Sequence, residues 1–343
     1  MTKYTEHTVK LPDGIELFYT DSGPLDSASY TTLVVLHGSA FTGDGMVPLH
    51  RFAHQNDLRV ILLNRRDYPG STKYTDAELE DLKAGRRIFQ DRLAIQLAWF
   101  LEHFIDHENT PKLSADRNFG NATALSLFSN PDAIPKPLYQ TIEPYLMSLV
   151  LYDPPHIALG YVLPGQDSVY DPWTDPDYPT PEAVYDNFKH WVSSYYKHPD
   201  IASGKPSGMS FEKRTERRTY TTWNDEQRAK YFNTTAAVRT ELPAYAPPMQ
   251  AILKTQTHDA LFNADLVSSY FPNVEVFHIS GTETCYFCMW GYMESLRLYN
   301  EALARGDKVR PTKFKLVEGA NHFLHYDMPD CLLKEVVQSC KEL

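Results

Sequence analysis

The sequence predicts an α/β fold, a mostly parallel sheet flanked by helices and interrupted by one large, mainly helical insertion. Three observations carry that reading. Short, continuously apolar runs recur along the chain, as strands buried on both faces require. Helical segments separate them, one with a clear apolar face. Between Pro154 and about Ala264 the alternation stops and prolines accumulate, which marks an irregular insertion.

Thr8-Val9-Lys10-Leu11 and Ile15 to Thr20 alternate in polarity around Pro12-Asp13-Gly14, the pattern of an antiparallel hairpin. Leu33-Val34-Val35-Leu36 is the first buried strand and runs into His37-Gly38. A helix is expected around Met46 to His54, then a second buried strand over Leu58 to Leu63. From about Arg87 to His103, Ile88, Leu93, Leu97, Phe100 and Leu101 recur at helical spacing. Lys112-Ala115 is expected as the next strand, although it is polar for a sheet centre. Ser148–Tyr152, Val274–Ile279 and Phe314–Val317 read as later strands, and Cys331–Cys340 as a closing helix. The resulting division is a core over 1–155 and 265–343 with a cap over 156–264. Aromatic residues are no denser in the cap than elsewhere, so most of them read as cap core. A few that line a pocket, with Trp191 and Tyr195 as candidates, would suit an apolar, multi-ring ligand.

With 33 basic and 44 acidic residues the formal net charge is −11, and no basic run could track a phosphate backbone. Nucleic acid and anionic membrane are therefore not expected partners. No apolar stretch follows Lys3, and none approaches the ~20 residues that span a bilayer, so a cytoplasmic protein is expected. Four cysteines in 343 residues make no disulfide framework. Cys285-Tyr286-Phe287-Cys288 has CxxC spacing without a second pair and reads as buried packing. No cofactor and no metal are expected, and oligomeric state is not legible.

Three landmarks then appear in order. His37-Gly38-Ser39-Ala40-Phe41 follows the third strand, Asn64-Arg65-Arg66-Asp67-Tyr68-Pro69-Gly70-Ser71-Thr72 the fourth, and Gly319-Ala320-Asn321-His322-Phe323 the last. They resemble the oxyanion loop, the Arg-x-x-Gly-x-Ser turn and the catalytic-histidine loop of α/β-hydrolases. The wording of Arg66 to Thr72, Tyr152-Asp153-Pro154-Pro155, Trp191 to Tyr196 and Asn321-His322-Phe323 is similar to fungal α/β-hydrolases of secondary-metabolite gene clusters. The resemblance implies an eight-stranded sheet with the cap inserted after strand six, closing the site into a cavity that takes an apolar, polyketide-like small molecule.

One departure stands out. Against the Gly-x-Ser-x-Gly elbow of the family, Asp116-Arg117-Asn118-Phe119-Gly120-Asn121 puts Asn118 where the nucleophilic serine belongs. A neutral amide makes no ordinary acyl-enzyme. Asn118 is then either a donor in the site or a residue tolerant of a tight turn. Ser39 and Cys285 do not occupy an elbow. His322, with a near-neutral pKa, is the candidate for proton transfer, and Asp153 and Glu283 are rival partners for it. Backbone N–H groups of the Gly38-Ser39-Ala40 loop and of Phe119 are the expected oxyanion donors. His37 should hold that loop, and His325 should be a surface residue. The expected chemistry is proton transfer without a covalent intermediate, as in cyclisation, condensation or elimination. Water-mediated hydrolysis on His322, or ligand binding without catalysis, are the alternatives.

Overall fold

The computed structural model describes residues 4–26, 30–107, 116–119 (backbone only), 122–165 and 169–341. Eight strands form one sheet: β1 (Thr5–Lys10), β2 (Glu16–Asp21), β3 (Thr31–Leu36), β4 (Leu58–Leu63), β5 (Asp116–Phe119), β6 (Leu146–Tyr152), β7 (Glu275–Gly281) and β8 (Thr312–Val317). Their order is β1-β2-β4-β3-β5-β6-β7-β8. β2 runs antiparallel to both β1 and β4, and every other pairing is parallel.

The period-2 geometry of strands sorts their side chains onto two faces. Val34 and Leu36 of β3 join Leu97, Phe100 and Leu101 of the helix Ile88–His107 in one cluster. Leu33 and Val35 pack the other way, with Met46 and Leu49 and with Leu332, Leu333 and Val336 of the helix Pro329–Lys341. The helix expected near Met46 is a 3-10 segment, Gly43–Phe52, with Pro48 inside it. Proline has no N–H to donate to an α-helical ladder, which favours the shorter, tighter form. Among the described residues no helix is long and apolar enough to cross a membrane.

β5 changes the reading of the elbow. Asn118 pairs with Val34 on one side and Leu149 on the other, so the segment expected to turn is itself the central strand. Pairing on both sides satisfies backbone groups that a sheet centre would otherwise bury unmet. The expected strand Lys112–Ala115 and the junction at Gly120 and Asn121 lie outside the described residues; the next helix, Ala122–Ser126, begins just after.

Between β6 and β7 the chain builds a second apolar cluster. Tyr185, Phe188 and Trp191 of the helix Pro181–Val192 pack there with Trp223, Phe323 and the start of the helix Tyr286–Arg305. Backbone bonds from Thr42 N to Tyr231 O (3.0 Å) and from Asn233 N to Ala40 O (2.7 Å) fasten this region to the loop after β3. The helix Pro247–Leu261 packs instead against Ala122–Ser126 and the helix Asp76–Lys83. This helix lies within the range 156–264 expected for the cap and contacts helices of the expected core.

The helix Tyr286–Arg305 crosses the turn after β6 so closely that a Cβ on Gly291 would lie 2.2 Å from Pro154 O. Gly291→Ala is expected to cost about 1–3 kcal/mol, the usual range for overpacking a tight contact. Urea unfolding checks this, and an unchanged midpoint would show that the turn gives way freely.

Candidate active site

His322 is positioned by its neighbours. Beyond β8, Gly319 takes a left-handed φ of 70°, and the Asn321 side chain then ties the loop down. Asn321 Nδ2 donates to Ser193 O (2.8 Å) and Thr219 Oγ1 (2.9 Å), while its Oδ1 accepts from Phe323 N (2.8 Å). The loop therefore places His322 at the C-terminal edge of the sheet, the edge where ligands of open α/β sheets bind.

Asp153 follows β6 directly, with a φ of 43° and its N–H donating to Ile279 O at 2.7 Å. That turn aims its fully buried carboxylate at the histidine: Asp153 Oδ2 lies 2.6 Å from His322 Nδ1 and accepts from Thr284 Oγ1 at 2.6 Å. Burial alone would lower the His322 pKa, but the hydrogen bond and charge of Asp153 outweigh it, and the net shift is upward. Burial pushes Asp153 up, the hydrogen bond and charge of His322 and the Thr284 hydroxyl pull it down, and it ends below its ordinary value. Glu283, the rival acid, lies with its carboxylate 3.8 Å from Arg217.

These contacts fix the histidine's orientation. With Nδ1–H given to the carboxylate, the Nε2 lone pair is left, and no described residue hydrogen-bonds to it. His322 lines a cavity at the strand ends, together with Leu36 and His37 beyond or at the end of β3, Tyr152 of β6 and Arg65 after β4. Phe89, Gln90 and Leu93 of the helix Ile88–His107 form one wall, and Thr240, Glu241, Ala244 and Tyr245 of the inserted region form another.

The loop after β3 is held more firmly than the sequence suggests. His37 lies 2.8 Å from Gly38 O through Nδ1 and accepts from Arg65 N (3.0 Å) through Nε2. Burial and then the charge of Arg65 keep it well below its ordinary pKa, so it is a neutral clamp. Ala40 N, one of the expected oxyanion donors, already donates to Tyr68 Oη at 2.8 Å. Ser39 Oγ stands 2.9 Å from Glu241 Oε2 and 2.9 Å from Tyr245 Oη, which ties the loop to the opposite wall. Gly38 lines the cavity, and its carbonyl accepts from Arg65 Nη2 at 3.1 Å.

The other expected site residues sit elsewhere. Trp191 does not reach the cavity lining; it is buried among Phe188, Tyr286 and Phe287, where its large ring removes most apolar area from water. Tyr195 is stacked 3.6 Å beneath the Arg217 guanidinium and donates to Asp327 Oδ2 at 2.6 Å. Phe119, like Asn118, has its backbone inside β5, in line with Val35 and Val150.

His325 is the opposite case. Expected at the surface, it is buried in the cavity wall, because the short helix Leu324–Asp327 turns inward over the site. Gln90 and Glu241 were missed as well. Gln90 is a polar break in a stripe otherwise set by Leu93 and Leu97, and that break was the available signal. Glu241 ends a π-helical turn, Ala237–Glu241, which no sequence pattern announces.

Asp153, Cys288 and His322 place donor atoms within 4.8 Å of one another, a set that could hold a metal ion. The same atoms already bond to each other: Cys288 Sγ is 3.5 Å from His322 Nδ1, and Asp153 holds both His322 and Thr284. Cys285 and Cys288 are both buried, with their sulfurs 3.7 Å apart.

No family model matches the sequence, and no curated protein matches it. Solved structures do resemble the fold. A mutant epoxide hydrolase from Solanum tuberosum is 13% identical with a TM-score of 0.54, covering 99% of this chain and 100% of that one. A laboratory-evolved variant of the potato epoxide hydrolase is 12% identical with a TM-score of 0.55, at 99% and 100% coverage. A bromoperoxidase from Bacillus anthracis is 15% identical with a TM-score of 0.51, at 98% and 100% coverage. Likeness at such low identity speaks for architecture alone.

Proposed function

Starting from the α/β-hydrolase fold that the chain shares with these enzymes, we propose that it is a repurposed member that performs cofactor-independent proton transfer. His322 is the base, Asp153 holds its tautomer and stabilises the charged form, and the substrate is an apolar, polyketide-like intermediate of secondary metabolism. The reaction class is cyclisation, condensation or elimination.

One observation carries this reading. The cavity presents a carboxylate-backed imidazole whose Nε2 is not hydrogen-bonded to any serine, threonine or cysteine among the described residues. In acyl transfer that nitrogen takes the proton of a hydroxyl or thiol nucleophile, and the segment Asp116 to Asn121 contains no serine, threonine or cysteine. A base whose pKa is raised by its carboxylate partner and which lines a cavity is sufficient to move a proton on carbon or oxygen. Such reactions need the substrate positioned but need no covalent intermediate.

p-Nitrophenyl butyrate tests the choice against hydrolysis. The expected result is no turnover beyond that of His322→Ala. Turnover that vanishes in His322→Ala would instead favour water activated on His322.

A further inference from the structure

A second histidine shares the cavity with the base, and its hydrogen bonds define what it offers. Tyr152 Oη donates to His322 O at 2.7 Å, which commits the only hydroxyl proton of the phenol. The same oxygen accepts from His325 N at 3.2 Å and stands 3.1 Å from His325 Nδ1. With that proton already given to the carbonyl, the Nδ1 contact requires Nδ1–H to donate. His325 is therefore the tautomer whose Nε2 carries a lone pair, and its hydrogen bonds among the described residues run through Nδ1 and the backbone N–H.

Burial, and then the charge of His322, lower the His325 pKa to about 3, so this ring stays neutral across the physiological range. It is a fixed acceptor and too weak a base to compete with His322. Phe323 packs against both rings, its centroid 5.6 Å from that of His322 and 5.3 Å from that of His325. Phe323 lines the cavity with them.

We propose that His325 Nε2 reads a hydroxyl donor, so that the substrate is an apolar ring compound bearing a free phenol or enol O–H, held with a neighbouring carbon toward His322. This rests on the base role of His322 for the orientation, but the recognition itself is a binding event. His325 is a positioning and specificity residue here, and it exchanges no proton.

The test compares 2-naphthol with 2-methoxynaphthalene, in which a methyl group replaces the donor hydrogen, by following their fluorescence on titration with the full chain. The wild type is expected to prefer 2-naphthol by about tenfold, the scale of one net hydrogen bond. His325→Phe should abolish the preference, while His325→Gln, which keeps an acceptor near the Nε2 position, should retain it. His322→Ala should retain it too, so a failure of the proton-transfer reading leaves this result standing. A purely structural role for His325 would weaken both ligands alike and leave their ratio unmoved. The proposal is overturned if the wild type binds neither compound or both equally, if the preference survives His325→Phe, if it is lost in both His325 variants, or if it follows His322.

Discussion

Asp153→Asn is expected to lower the rate of any His322-dependent proton transfer by roughly 10³–10⁴-fold, the scale on which a histidine loses function when its partner carboxylate becomes an amide. The reason lies in a single tautomer. Asp153 Oδ2 accepts from Nδ1 at 2.6 Å, which keeps the lone pair on Nε2, where the cavity is. An asparagine amide at the same place can donate to Nδ1, which moves the proton to Nε2 and turns the lone pair away from the substrate. The pH profile should change as well. In the wild type the active, unprotonated base appears as pH rises through a His322 pKa held above its ordinary value; removing the carboxylate should move that limb to lower pH.

Stability gives a second readout with a definite sign. A raised His322 pKa contributes stability that is fully present below its unfolded value of about 6.5 and lost as pH rises through the folded value. A lowered Asp153 pKa contributes stability that is present above its unfolded value of about 3.9 and lost as pH falls through the folded value. Both describe one interaction seen from its two ends. Urea unfolding should therefore show the largest difference between wild type and Asp153→Asn from about pH 4 to 6.5. A pH-independent difference would mean that the ion pair is not what the substitution removes.

Arg65→Met is expected to be the most destabilising single change at the site. Glu241 is buried, and Arg65 Nη2 forms its ion pair, with Tyr68 Oη donating to Oε1 at 2.8 Å and Ser39 Oγ 2.9 Å from Oε2. Removing the guanidinium leaves a buried carboxylate with hydroxyl partners alone, which costs about 3–5 kcal/mol in comparable pairs. The sign with pH follows from that carboxylate. A buried charge without its cation is what makes the loss large, so the loss should be full at pH 7, where carboxylates are ionised, and smaller in acid. Replacing both partners by apolar residues, Arg65→Met with Glu241→Leu, should restore much of the stability. A loss under about 1 kcal/mol, equal at pH 7 and pH 4, would show that water reaches the pair and screens it.

What the sequence made legible follows from where each signal is written. β3 and β4 were plain, because a strand buried on both faces is apolar nearly throughout, as Leu33–Leu36 is and as Leu58–Leu63 is apart from Arg59, whose buried charge pairs with Asp21. His322 was marked by its loop between β8 and the closing helix. The choice between Asp153 and Glu283 was not legible: both follow strand ends, and only the three-dimensional neighbourhood of β6, β7 and the histidine loop separates them. Local pattern also misled at β5, where a polar segment is held as a strand by pairing with β3 and β6. His325 looked like a surface residue, and Gln90 drew no attention, because polarity usually means exposure, and a cavity is where that rule fails. The long helix Tyr286–Arg305 was overlooked for a related reason, since its first two turns are apolar nearly all round and show no amphipathic stripe.

The most direct test of the central claim is exchange of the α-protons of deoxybenzoin, an apolar two-ring ketone, for deuterium in buffered D₂O, followed by NMR in the presence of the purified chain. His322 as a general base predicts exchange faster than that given by His322→Ala by on the order of 10²-fold, with no ester or acyl-enzyme involved. Equal exchange with wild type and His322→Ala would contradict it.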